Sequence, residues 1–243
     1  MISDFTLVIP THNRHKFLER LLNYYNSFEI NFIIVILDSS DTPFSNLPLN
    51  KNFLYKHCPN QGFMEKIYFS LKEIKTSFSA LCADDDFMIP LGIENCCNFL
   101  RSNNDYASAQ GRVVRFESLE STFYTPDEVQ ARSINFDNSI DRVTYGMVTN
   151  YTQTFYSIHR TEFLKSIFSD ARSINYSLIE LFVTFSAHAH GKHKVIPSFY
   201  YIREENLISE GKSAVGIEQI AVYQKDKYKK SYNHFLKTLN KVI

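Results

Sequence analysis

The run Phe32-Ile33-Ile34-Val35-Ile36-Leu37 is apolar at every position. A strand of that kind has no polar face to turn to water, so both faces must be covered, as in a sheet with helices on either side. Neighbouring segments agree. Phe5 to Ile9 is a second apolar run, ended by Pro10; Phe78 to Cys82 is a third, and Phe53-Leu54-Tyr55 a weaker one. Between them Phe17, Leu18, Leu21, Leu22 and Tyr25 recur at helical spacing, with Thr11 or Asn13 as the expected cap, and Phe63, Ile67, Leu71 and Ile74 repeat the pattern. Pro90 opens a further helix whose buried side is expected to be Leu91, Cys96, Cys97 and Leu100. Strand–helix order repeated in this way predicts an α/β fold with a mostly parallel sheet and right-handed crossovers.

Regularity weakens from Glu117 to Tyr145, a polar stretch read as an excursion or mobile loop. It returns at Phe155-Tyr156-Ser157-Ile158, followed by a helix near Glu162 to Phe168 and another over about Ser177 to Ala189, with Leu178, Phe182, Phe185 and Ala189 on one side. Val195 to Ile202 reads as a last strand, and the chain from Ile217 as a basic helix. The expected division is 1–116 and 117–243 within one compact domain.

Lys+Arg and Asp+Glu both number 26, which removes the global electrostatic case for a nucleic-acid partner. Cys58, Cys82, Cys96 and Cys97 form no C-x-x-C pair and read as small buried hydrophobes in a reducing compartment. No apolar stretch approaches the roughly 18 residues of a membrane span, and no leader is visible, so a cytoplasmic protein is expected. The C-terminal helix carries Tyr228, Tyr232, Phe235 and Leu239 among lysines. It is a candidate for peripheral contact with anionic lipid at the inner face of the membrane, although a solvated face over a packed stripe is the stronger reading.

Asp84-Asp85-Asp86 directly follows the strand that ends at Ala83. Ligands of open parallel sheets bind beyond the carboxyl ends of the strands, which is where these acids sit. Three consecutive carboxylates repel one another. A hard divalent cation, Mg²⁺ or Mn²⁺, removes that cost and can also bridge two phosphates. The alternative, a solvated acidic turn, fits less well with the strand before the acids and the helix after them.

Leu7-Val8-Ile9-Pro10-Thr11-His12-Asn13-Arg14, Ile34-Val35-Ile36-Leu37-Asp38-Ser39-Ser40-Asp41, Asn60-Gln61-Gly62 and Asp84-Asp85-Asp86 occur in that order. Their order and spacing resemble inverting family 2 glycosyltransferases of the GT-A fold, and more closely a bacterial subgroup with D-S-S-D and D-D-D motifs. The resemblance implies a Rossmann-like, mostly parallel sheet flanked by helices, with a C-terminal acceptor-side portion. It implies a nucleotide-sugar donor, expected to be a UDP-sugar, held by Pro10, Thr11 and Arg14 after the first strand. Asp38 would contact the base, Asn60 and Gly62 would form the turn before the second helix, and Lys66 would lie near the diphosphate. Asp84 and Asp85 would face the donor, with Asp86 and Asp84 as metal ligands; the pair that coordinates is open among the three.

An inverting transfer also needs a carboxylate to take the acceptor hydroxyl's proton. The resemblance places it at Glu180, ahead of Gly191 and of Lys194-Val195-Ile196-Pro197, although Ile179-Glu180 stands where the family has Glu-Asp. Arg203 could reach the diphosphate as a bidentate partner. The acceptor implied is a glycan or lipid-linked sugar in surface-polysaccharide assembly. Two alternatives stay open: a non-catalytic nucleotide-sugar or glycan binder of the same fold and, less well supported, a nucleotidyltransferase, which would want a glycine-rich loop after the first strand. His188, His190 and His193 suggest zinc at first sight, but positions 188 and 190 point to different sides of a helix.

Overall fold

A computed structural model describes residues 3–117, 122–124, 131–171, 174–204 and 225–241. The elements are β1 (Phe5–Thr11), α1 (His15–Asn26), β2 (Ile33–Asp38), β3 (Phe53–His57), α2 (Phe63–Glu73), β4 (Phe78–Leu81), β5 (Phe87–Met88) and α3 (Pro90–Ser102). Then come β6 (Tyr106–Glu117), β7 (Thr122–Tyr124), α4 (Ser139–Thr144), a π-helical turn (Tyr145–Thr149), β8 (Ile158–Arg160), α5 (Thr161–Asp170), α6 (Tyr176–His190), β9 (Lys192–Glu204) and α7 (Lys225–Leu239). One sheet runs through both halves of the chain in the order β3-β2-β1-β4-β8-β6-β9-β5, with β7 paired to β6.

The sheet is mixed rather than mostly parallel. Pairing is parallel from β3 to β4 and again between β6 and β9. The short β8 runs antiparallel to both β4 and β6, and β5 runs antiparallel to β9. A strand of three residues carries no periodicity from which its direction could be read.

Both faces of β2 are covered, as its composition requires. Ile34 and Ile36 pack with Leu18, Leu21 and Tyr25 of α1 and with Ile93 and Cys97 of α3. Val35 and Leu37 face the other way, toward Ile67 and Leu71 of α2. The same second core holds Leu164 and Phe168 of α5, Leu178 and Phe182 of α6, and Phe235 and Leu239 of α7. Each such side chain contributes about 1.5–3 kcal/mol by leaving water.

Local expectations fail where a side chain has a distant partner or a helix face is misjudged. Neither Thr11 nor Asn13 caps α1; Arg14 stands at that position and makes no side-chain cap. The Thr11 hydroxyl is drawn to Asp84, and Asn13 takes a left-handed φ of 53° to meet Ser40 and Asp41. Leu91 is exposed rather than buried, because it lies about 200° around α3 from Ile93, and Ile93, Cys96, Cys97 and Leu100 make the buried stripe. On α6 Leu178, Ile179, Phe182, Val183 and Ala187 are buried, and Phe185 and Ala189 only partly so. Between Glu117 and Tyr145 the chain is partly regular: Asn138 caps α4 by accepting from the Ile140 and Asp141 N–H groups. The expected start of the C-terminal helix at Ile217 lies outside the described residues. All four cysteines are free, three of them buried.

Gly92 lets α3 sit against β9. A Cβ there would lie 2.4 Å from the Phe199 carbonyl oxygen and 2.8 Å from the Tyr200 Cα. Gly92→Ala gains about 1 kcal/mol of helix propensity, but backbone cannot give way as a flexible side chain can, and overpacking costs about 1–3 kcal/mol. The expected outcome is net destabilisation, read as a lower urea midpoint with an unchanged slope.

Candidate active site

The carboxyl ends of β1, β2 and β4 converge on a cavity of about 610 Å³. Pro10, Thr11, Arg14, Asn60, Gly62, Lys66, Asp84, Asp85, Asp86 and Arg203 all line it, so most residues expected in a donor site are brought together. Asp38 does not line it.

The three acids are almost wholly buried, and each is held differently. Asp84 accepts a hydrogen bond from the Thr11 hydroxyl at 2.6 Å and pairs with Arg14 at 2.9 Å. Asp85 pairs with the other Arg14 nitrogen at 2.5 Å, and its carbonyl oxygen accepts from Arg20 at 2.7 Å. Asp86 turns toward β9, where it accepts from the Tyr201 hydroxyl at 2.6 Å and the Glu204 N–H at 2.8 Å. Burial and then the charge of Asp85 push Asp86 up to about 7, against the pull of those two donors and of Arg203. Oxygen donors of this kind suit a hard divalent cation, and Mg²⁺ is usually held by one or two carboxylates with substrate phosphates completing its shell. Among the described residues, no group of three or more His, Cys, Asp or Glu side chains is arranged to hold a metal by itself.

Lys66 reaches back from α2 to donate to the Thr11 carbonyl at 2.6 Å and the Ser39 hydroxyl at 2.9 Å, tying the ends of β1 and β2 together. Asn60 has a left-handed φ of 66°, which turns the chain into α2. Gly62 has an ordinary φ of −69° at the N-cap, and a Cβ there would meet nothing within 4 Å. Its missing side chain leaves room at the mouth of α2, whose N-terminal N–H groups favour an anion.

Asp38 lies beneath the cavity, fully buried. Its carboxylate accepts from the Ser40 N–H at 2.8 Å, the Tyr55 hydroxyl at 2.7 Å and His15 Nε2 at 3.1 Å. Burial is the largest influence and raises its pKa, but the hydrogen bonds from Ser40, Tyr55 and His15 together outweigh it, and the net shift is downward.

A second cavity of about 470 Å³ adjoins the first and includes Glu180, Tyr151, Gln153, Tyr156 and Arg203. Tyr156 and Arg203 line both. The Tyr156 ring is stacked on Tyr201, centroids 5.3 Å apart, so the wall between the cavities leans on the tyrosine that holds Asp86. The Tyr151 hydroxyl is 3.5 Å from Glu180 Oε1. The Glu180 side chain is open to the cavity, yet the protein around it raises its pKa by desolvation, opposed by Arg203, Tyr151 and Gln153.

Arg20, Tyr156, Tyr201 and Glu204 escaped sequence reasoning. Arg20 pairs with Glu204 and lies over the Phe17 and Phe87 rings. In sequence it is one charged residue on an amphipathic helix. Only the placement of Tyr201 and Glu204 beside Arg203 gave any signal. The three histidines do not share one site: the buried His188 and His193 rings lie 6.1 Å apart, edge to face, while His190 stacks on Phe163 at 4.3 Å.

A buried acid cluster at strand ends, facing a helix N-terminus and basic side chains, stands where ligands of open α/β sheets bind. The chain belongs to glycosyl transferase family 2, whose sequence profile matches residues 6–168. It is thus a glycosyltransferase with a nucleotide-sugar donor. No curated protein matches the sequence. In fold it is similar to residues 1–349 of S. aureus TarS, with a TM-score of 0.61 and 14% identity over 97% of this chain and 81% of that one. The complex of that protein with UDP gives a TM-score of 0.62 at 13% identity, covering 99% and 81% of the two chains. Its complex with UDP-GlcNAc gives 0.60 at 13%, covering 98% and 80%. At such identity the likeness is one of fold. No described helix is long and apolar enough to cross a membrane.

Asp38→Asn is expected to destabilise the fold by about 1.5–3 kcal/mol at pH 7, the usual worth of hydrogen bonds to a charged group. The folded-state pKa is depressed, so this stability is present above the unfolded value of about 3.9 and is lost as pH falls through the lower folded value. Urea unfolding of both proteins from pH 7 to pH 3 should show the gap narrowing only at the acid end.

Proposed function

We propose that the protein is a metal-dependent, inverting glycosyltransferase that moves a sugar from a UDP-sugar to a hydroxyl of a glycan or lipid-linked acceptor in surface-polysaccharide assembly. The observation that carries this reading is the pair of adjoining cavities, one holding Asp84, Asp85 and Asp86 and the other Glu180, with Tyr156 and Arg203 common to both. UDP is supported by the two similar S. aureus TarS structures that hold UDP and UDP-GlcNAc.

In this scheme residues 1–116 supply most of the donor site and 117–243 most of the acceptor side, with Arg203 reaching the first cavity and part of β6 lining the second. Arg14, Lys66, Arg203 and the mouth of α2 surround the diphosphate, with Pro10, Thr11, Asn60 and Gly62 shaping its walls. Asp38 acts on the base end through Ser39 and Asp41, which do line the cavity. A Mg²⁺ or Mn²⁺ held by Asp84 and Asp86, with Asp85 beside them, would neutralise charge developing on the departing diphosphate. Glu180 takes the acceptor hydroxyl's proton as its oxygen bonds to the anomeric carbon from the face opposite the diphosphate. The bond from the anomeric carbon to the diphosphate oxygen breaks as the new one forms, and its electron pair leaves with UDP. The lysine-rich α7 would meet anionic lipid where the acceptor is membrane-anchored.

Glu180→Gln should lower kcat by about 10²–10⁴-fold, the usual contribution of a general base, while UDP affinity stays unchanged. A base must be ionised to act, so wild-type rate should fall as pH drops, with its acid limb above the ordinary glutamate value of 4.5. A thermal-shift panel should show stabilisation by UDP with Mn²⁺, lost with EDTA and in Asp86→Ala. An equal shift without metal would overturn the metal assignment, and undiminished turnover in Glu180→Gln would remove the base.

A further inference from the structure

The second cavity is basic as well as aromatic. Among the described residues lining it, Arg112, Arg115 and Arg203 are cationic and Glu180 is acidic. A neutral sugar acceptor needs hydrogen-bonding groups and apolar ring faces, which Gln110, Gln153 and the tyrosines offer. It has no use for several guanidinium groups. Planar guanidinium groups are suited to phosphate, which they grip through paired N–H donors.

These arginines lie where β6 pairs irregularly with β9. Arg112 and Arg115 are three residues apart on β6, so a regular strand would send them to opposite faces. The register between β6 and β9 shifts twice around Arg112, from Gln110↔Val195 to Arg112↔Phe199 and then to Val113↔Tyr201. The extra residues in these shifts belong to β9, and both arginines of β6 line the one cavity. Gly111 makes the close approach workable: a Cβ there would lie 2.4 Å from the Ser198 carbonyl oxygen. Beyond the irregular stretch, Arg115 is the register partner of Arg203 on β9.

We propose that the acceptor carries a phosphate group close to its reacting hydroxyl, and that Arg112 and Arg115, with Arg203 at the boundary, bind that phosphate while Glu180 faces the hydroxyl. The proposal rests on the glycosyltransferase reading of the two cavities and specifies its acceptor class. Two sources share this chemistry, a soluble sugar phosphate and a sugar on a lipid diphosphate.

The test measures binding to the full chain by isothermal titration. The ligands are N-acetylglucosamine, N-acetylglucosamine 1-phosphate and N-acetylglucosamine on a polyprenyl diphosphate in neutral detergent micelles, each with and without UDP. The phosphorylated forms should bind at least tenfold tighter than the neutral sugar, with the advantage shrinking as salt is raised. Preference for the micellar form over the soluble phosphate would identify the lipid source, and the reverse the soluble one. Arg112→Gln with Arg115→Gln should bring the phosphorylated ligands down to the neutral sugar's affinity and leave UDP binding within twofold of wild type. The wild-type comparison stands alone if that double variant does not fold. Equal affinity for phosphorylated and neutral sugars in the wild type, or a folded double variant with full phosphate preference, overturns the proposal. Loss of UDP binding by the wild type would instead count against the donor site, while the phosphate comparison still reads this cavity.

Discussion

Three carboxylates in succession at the end of a buried strand set the terms for everything around them. Two unit charges about 4 Å apart interact by about 4 kcal/mol at the effective dielectric of a protein surface, so a row of buried acids stands only with compensation. Thr11 and Arg14 supply it for Asp84, and Arg14 for Asp85. Asp86 instead takes the Tyr201 hydroxyl and the Glu204 N–H, which lie 115 and 118 residues further along the chain. The last strand is thus fastened to the acidic site. Arg20 reinforces the joint by binding the Asp85 carbonyl and the Glu204 carboxylate together.

That fastening also places the second cavity. β9 brings Tyr201 to Asp86 and Arg203 to the rim shared by both cavities, and Tyr156 stacks on Tyr201 from the segment before β8. A shift of β9 would move donor-side and acceptor-side groups as one. Transfer of a group between two bound substrates gains from such a coupling, because the reacting atoms must be held close and aligned for their geometry to lower the barrier. The Arg142 guanidinium supports the far side of this arrangement, donating to the carbonyls of His188 and Ala189 at the end of α6 and to those of Phe136 and Asp137. The helix that presents Glu180 is therefore anchored at its C-terminal end.

The donor side was legible in the sequence because its parts are local. An apolar run marks a doubly covered strand, acids after such a run mark its carboxyl end, and a proline marks the start of the next helix. Asp84, Asp85 and Asp86 could be named from position and Thr11, Arg14 and Lys66 from the family resemblance, and all six meet in one cavity. Asp38 shows the limit: it stands at the end of its strand as expected, but Tyr55 and His15 enclose it below the cleft. Nothing near Asp38 in the sequence announces those partners, since Tyr55 reaches it across neighbouring strands and His15 from another turn.

Local pattern was enough for β1 to β4 and α1 to α3, the two-sided burial of β2 and the strand ends at which the acids gather, because each follows from side chains a few residues apart; β5 and β6 left no such mark. Only in three dimensions does β8 enter antiparallel, β9 close over Asp86, and Arg112 and Arg115 of β6 meet Arg203 of β9 around one cavity. Those outcomes depend on which strand lies beside which and in what register. Pairing energies between residues a hundred positions apart leave no periodic trace in either segment.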